Sequence, residues 1–72
     1  MNRPQRFIEQ ARSNYAGTPE AIAWAYDKYD EIHVVIRMSP GYYLDWIGGE
    51  YADEPDEFDT VPPGLELNWR AI

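Results

Sequence analysis

The run Ile32-His33-Val34-Val35-Ile36-Arg37-Met38 limits the fold of this chain more than any other stretch. It is dense in β-branched residues and it alternates, which sends Ile32, Val34, Ile36 and Met38 to one face of a strand. Ser39-Pro40-Gly41 follows, where proline fixes φ and glycine accepts a positive φ, so the chain turns. Tyr42 to Ile47 alternates again, with Tyr42, Leu44 and Trp46 inward, until Gly48-Gly49 breaks the pattern. Residues 32–47 are thus expected to form an antiparallel hairpin. Leu65–Ala71 repeats the alternation, with Leu65, Leu67 and Trp69 inward, and predicts a third strand.

The residues before the hairpin show helical signals. Asn2-Arg3-Pro4 can open a helix, since a first-turn proline loses no needed hydrogen bond. Phe7, Ile8, Ala11 and Tyr15 form its apolar stripe, and Gly17 can supply a left-handed end. Thr18-Pro19-Glu20 reads as a second helix start: hydroxyl cap, proline, then an acid on the positive end of the dipole. Ile22, Ala25, Tyr26 and Tyr29 follow at helical spacing, and Asp27, Asp30 and Glu31 favour termination. The expected fold is α+β, with two N-terminal helices packed on a three-stranded antiparallel sheet in the order α-α-β-β-β. One domain spans residues 1–72, with an acidic loop over about 48–64.

A chain of 72 residues has a thin core, burying only about 60% of the surface its unfolded form exposes. There is no cysteine to staple it. Six Tyr, three Trp and two Phe supply large buried areas instead, and dimerisation is the other common remedy. Absent cysteines fit a reducing compartment. With no charged leader before an apolar run and no span-length apolar segment, a cytoplasmic protein is expected.

The net charge of −7 is unevenly placed. Residues 1–37 balance five acids against five bases, whereas residues 38–72 carry eight acids against Arg70 alone. No basic face gathers, which disfavours direct nucleic-acid binding and a membrane surface alike. Basic protein surfaces are the natural complement.

Six of the ten residues from Glu50 to Asp59 are carboxylates. Carboxylates two apart in an extended segment lie about 6.6–7 Å from each other, on the scale of neighbouring phosphates along a nucleic-acid strand. Aromatic residues interleave with them as bases do with phosphates, and single-strand-binding grooves reward stacking as well as charge. The candidate partner-binding residues are therefore Glu50, Asp53, Glu54, Asp56, Glu57 and Asp59, with Tyr43, Trp46, Tyr51 and Phe58 as anchors. A solvated loop that aids solubility is the plainer reading of the same charges.

Other chemistries fit less well. A calcium loop counted from Asp53 would need ligating or glycine residues where Pro55, Phe58 and Gly64 stand, so no dedicated metal site is expected. Paired carboxylates acting as acid and base require a deep pocket that so small a domain rarely encloses. His33, the only histidine, falls opposite the apolar strand face, which suits a surface or sheet-packing residue better than a base. No phosphate loop is present, and neither enzyme activity nor a cofactor is expected. Tyr43, Val35 and Ile47 would form an exposed apolar patch unless the Pro62-Pro63 connector covers them.

Short, cysteine-free, strongly acidic and aromatic-rich, the chain is similar in profile to phage-encoded inhibitors, including DNA mimics and anti-CRISPR proteins. That resemblance rests on size and charge and carries over no residue. It implies an inhibitory protein, monomer or homodimer, that occupies the basic surface of a nucleic-acid-binding protein or complex. An immunity-type or antitoxin protein neutralising a basic nuclease is the alternative, and a structural subunit self-associating through Leu65–Ala71 is a third.

Overall fold

The computed structural model describes residues 4–72. It contains one helix, α1 (Pro4–Asn14), and strands β1 (Thr18–Tyr26), β2 (Ile32–Ser39), β3 (Tyr42–Ile47), β4 (Asp56–Phe58) and β5 (Arg70–Ala71). A 3-10 turn, Gly49–Tyr51, lies between β3 and β4. All strand pairs are antiparallel, and the sheet order is β4-β3-β2-β1-β5. The expectation of two helices on a three-stranded sheet is therefore corrected: the fold is one helix on a five-stranded sheet.

The expected second helix is strand β1. Its letters satisfy both periods, because Ile22, Trp24 and Tyr26 also alternate, and Ala21, Ala23 and Ala25 fill the other face. Pairing decides between them. Ile22 lies opposite Ile36, and Trp24 opposite Val34, so β1 completes a buried face that an isolated helix could not. The register slips between Pro19 and Ala21, which makes Glu20 a bulge residue. The β1–β2 connection is a tight turn in which the Asp30 amide donates to the Asp27 carbonyl at 3.0 Å. Asp30 takes the left-handed conformation, φ 64°, which closes a three-residue hairpin loop.

The β2–β3 hairpin is as expected, with Ile36 opposite Leu44 and Val34 opposite Trp46. Helix α1 covers this face with its apolar stripe: Phe7, Ile8 and Ala11 are buried, and Tyr15 packs at the margin. Asn2 and Arg3, part of the expected helix start, lie outside the described residues. Phe7 meets Trp46 edge-on, with ring centroids 5.2 Å apart, at the centre of the core. Gly17 follows the helix at φ 93°, and a Cβ there would lie 2.1 Å from the Ser39 carbonyl oxygen. Only glycine permits that approach of the helix exit to the end of β2.

The third expected strand is shortened to Arg70–Ala71. The preceding residues are extended and keep the expected alternation, with Leu65, Leu67 and Trp69 half-buried, but they cross the second sheet face. Trp69 packs on Tyr43 there, 6.0 Å between centroids, and Arg37 lies 5.3 Å over the Trp69 ring. This strap joins β4 at one sheet edge to β5 at the other. It buries Val35 and half-buries Tyr43, whereas Ile47 keeps 38% of its surface. The acidic segment is likewise no simple loop, because it contains the 3-10 turn and β4.

Candidate functional site

Helix α1 holds the backbone of the acidic segment. The Arg6 guanidinium donates to the carbonyls of Glu50 and Ala52, and the Gln10 amide donates to the Asp53 carbonyl at 2.8 Å. Gln10 also accepts from the Trp46 indole at 3.1 Å, which ties the segment to the core. Ala52 packs against the core and Pro55 is buried. β4 then pairs with β3, Glu57 opposite Leu44 and Asp56 opposite Asp45. The result is a segment whose backbone is fixed and whose carboxylates point to water.

Glu50, Asp53, Glu54, Asp56, Glu57 and Asp59 are all exposed. Among the described residues the ion pairs use Asp27, Asp45 and Glu20, and none of these six. The aromatic candidates divide. Tyr51 is 95% exposed, and Phe58 half-lines a shallow hollow with Tyr15, Tyr42, Glu57 and Asp59. Burial raises the Tyr15 and Tyr42 phenols above their usual range, and the charge of Glu57 adds to both. Tyr43 is half-buried under Trp69, and Trp46 is fully buried, so neither ring is free at the surface as an anchor.

Two groupings escaped the sequence reading. The first is a triad of buried His33 and Asp45 with half-buried Asp27. His33 Nδ1 lies 3.1 and 3.0 Å from the two carboxylate oxygens of Asp45, and its Nε2 lies 2.8 Å from Asp27 Oδ2. Asp27 Oδ1 meanwhile accepts from the amides of Tyr29 and Glu31 at 2.8 and 3.0 Å, so the triad also fixes the β1–β2 turn. With a carboxylate on each ring nitrogen, only the imidazolium donates to both. Burial opposes that charge, but hydrogen bonds to Asp27 and Asp45 and their charges prevail and raise the His33 pKa. The His33 hydrogen bond lowers the Asp27 carboxyl, while burial raises that of Asp45 against the pull of His33. The triad ties the β1–β2 turn, through Asp27, to His33 of β2 and Asp45 of β3.

The second grouping is an open groove on the helix side of the sheet, beyond the reach of α1. Trp24 and Tyr26 of β1, Ile32 and Val34 of β2, and Gly48–Tyr51 line it. A neighbouring hollow shares Ile32, Gly48 and Tyr51 and adds Tyr29, Asp30 and Glu31. Once β1 is read as a strand, Trp24 and Tyr26 necessarily share a face with Ile32 and Val34.

Compared with protein-family models, curated proteins and solved structures, the chain matches none. Among the described residues no helix is long and apolar enough to cross a membrane.

Proposed function

We propose that this protein is an inhibitory binding protein whose acidic segment occupies a basic, nucleic-acid-binding surface of a larger protein or complex. One observation carries the reading: six exposed carboxylates, without an ion-pair partner among the described residues, sit on a backbone pinned by Arg6 and Gln10. A preformed surface of this kind loses little entropy on docking. Its field speeds encounter with Lys/Arg surfaces and makes the association sensitive to salt. Phage-encoded DNA mimics and anti-CRISPR proteins share the size and charge profile. An immunity-type protein against a basic nuclease would use the same physics. Self-association through the C-terminal strand has only the two residues of β5 as a template.

The test is a pull-down from a lysate of the source cells at low and high salt. The bait is the wild type or the variant Asp53→Asn/Glu54→Gln/Asp56→Asn/Glu57→Gln, with circular dichroism confirming the fold. Selective capture of a nucleic-acid-binding protein by the wild type at low salt supports the proposal. Equal capture by both baits refutes it.

A further inference from the structure

We propose that the groove between Trp24, Tyr26, Ile32 and Tyr51 receives an arginine side chain of the protein's partner. The inference rests on the acidic binding reading above and locates a specific contact within it. Tyr51, Tyr29 and Tyr26 are 95%, 78% and 67% exposed, a concentration of open aromatic surface at one end of the sheet. Surface of this kind marks an interaction site when it is contiguous, and the shared lining of the two hollows makes it so.

Chemistry selects the occupant. Glu50 stands at the groove, and Glu31 and Asp30 at the adjoining hollow, while no basic residue lines either. Aromatic faces with carboxylates at the rim attract a cation twice, through the ring quadrupole and through charge. A guanidinium suits them better than an ammonium, being planar, weakly hydrated and able to stack while it pairs with a carboxylate. The chain already places its own cations on two of the lining rings: Arg70 lies 5.9 Å over Trp24, and Lys28 lies 5.3 Å over Tyr29. Among the described residues Tyr26 and Tyr51 hold no cation of their own. Gly49, at φ 60°, passes so near Ile32 that a Cβ would lie 2.9 Å from its Cγ2, so only glycine fits beside that lining residue.

The experiment is a titration of the 15N-labelled full chain with a blocked Gly-Arg-Gly peptide, read by NMR. The control peptide carries citrulline, which keeps the shape and removes the charge. Shifts centred on the Gly48, Gly49 and Tyr51 amides and the Trp24 indole, absent with citrulline, are expected. The variant Tyr51→Ala/Glu50→Gln should weaken binding about tenfold, and Asp53→Asn/Glu54→Gln should leave the groove shifts in place. Shifts that instead centre on residues 53–59 and ignore the Tyr51/Glu50 variant would overturn the groove while leaving the acidic surface standing. Absence of any shift, or equal shifts with citrulline, would overturn it too. The pull-down would then decide the acidic reading independently.

Discussion

Replacing His33 by glutamine should flatten the alkaline limb of this protein's stability curve. In the folded chain both imidazole nitrogens face carboxylate oxygens, at 2.8 Å on one side and 3.0 Å on the other. Loss of the proton leaves one nitrogen lone pair directed at a carboxylate. Because the folded His33 pKa is raised, its contribution is complete below the ordinary imidazole value of about 6.5 and disappears as pH rises through the raised value. Asp27 acts at the other end: its lowered carboxyl contributes above the ordinary carboxylate range and is lost as pH falls through the lowered value. Asp45 runs opposite, since burial raises it, and protonation relieves that cost as pH falls. Stability should therefore be greatest between the carboxylate and imidazole ranges.

The size follows from exposure. Asp45 is 2% exposed, so removing its partner strands a buried carboxylate at a cost of about 3–5 kcal/mol. A domain of this length has roughly 4–11 kcal/mol in total, so the loss is large enough to read directly. Lys28, Tyr29, Glu31, Asp56 and Glu66 are the other charged or ionisable side chains that lie around the triad. Urea unfolding followed by tryptophan fluorescence at pH 6, 7, 8 and 9 measures the effect. The wild-type midpoint should fall across that range, and the His33→Gln midpoint should be low throughout and fall less steeply, without the loss that follows imidazole deprotonation. A wild-type midpoint independent of pH, or a variant with the wild-type slope, would refute the reasoning.

Two further substitutions probe the frame of the fold. Gly17→Ala should destabilise by more than about 1 kcal/mol, combining a left-handed φ with the clash on the Ser39 carbonyl, as thermal unfolding would show. Trp46→Ala should cost about 3–5 kcal/mol by emptying the space beside Phe7, and it should also loosen the acidic segment by freeing Gln10, visible as faster amide exchange around residue 53.

Strong, uninterrupted periods were legible in the sequence: the stripe of α1 and the alternation of β2 and β3 both lie where their apolar residues put them. β1 was not, because its local start signal, Thr18-Pro19-Glu20, favours a helix while its partner β2 lies across a turn with no glycine in it. Asp27 and Asp30 supply that turn with their own side chain and left-handed backbone, a weaker signal than Asn-Gly. The alternation of Leu65, Leu67 and Trp69 predicts a third strand over Leu65–Ala71, but only Arg70–Ala71 pair as one, since a strap across a sheet and a strand within it have the same pattern. Exposure of the six acids was readable from charge alone. The triad was within reach: with Val35 opposite Asp45 and His33 opposite Ile47, His33 and Asp45 are diagonal neighbours on one face of the hairpin. The groove was not, because it depends on the correct assignment of β1.

The most direct test of charge mimicry is competition. Once a partner has been captured, the complex is challenged with a single-stranded DNA oligonucleotide and with an uncharged polymer at matched ionic strength. Release by the oligonucleotide alone, together with loss of partner–DNA binding when the protein is added, is the predicted result. A complex that binds DNA and this protein at the same time would contradict the claim that the acidic segment occupies the nucleic-acid site.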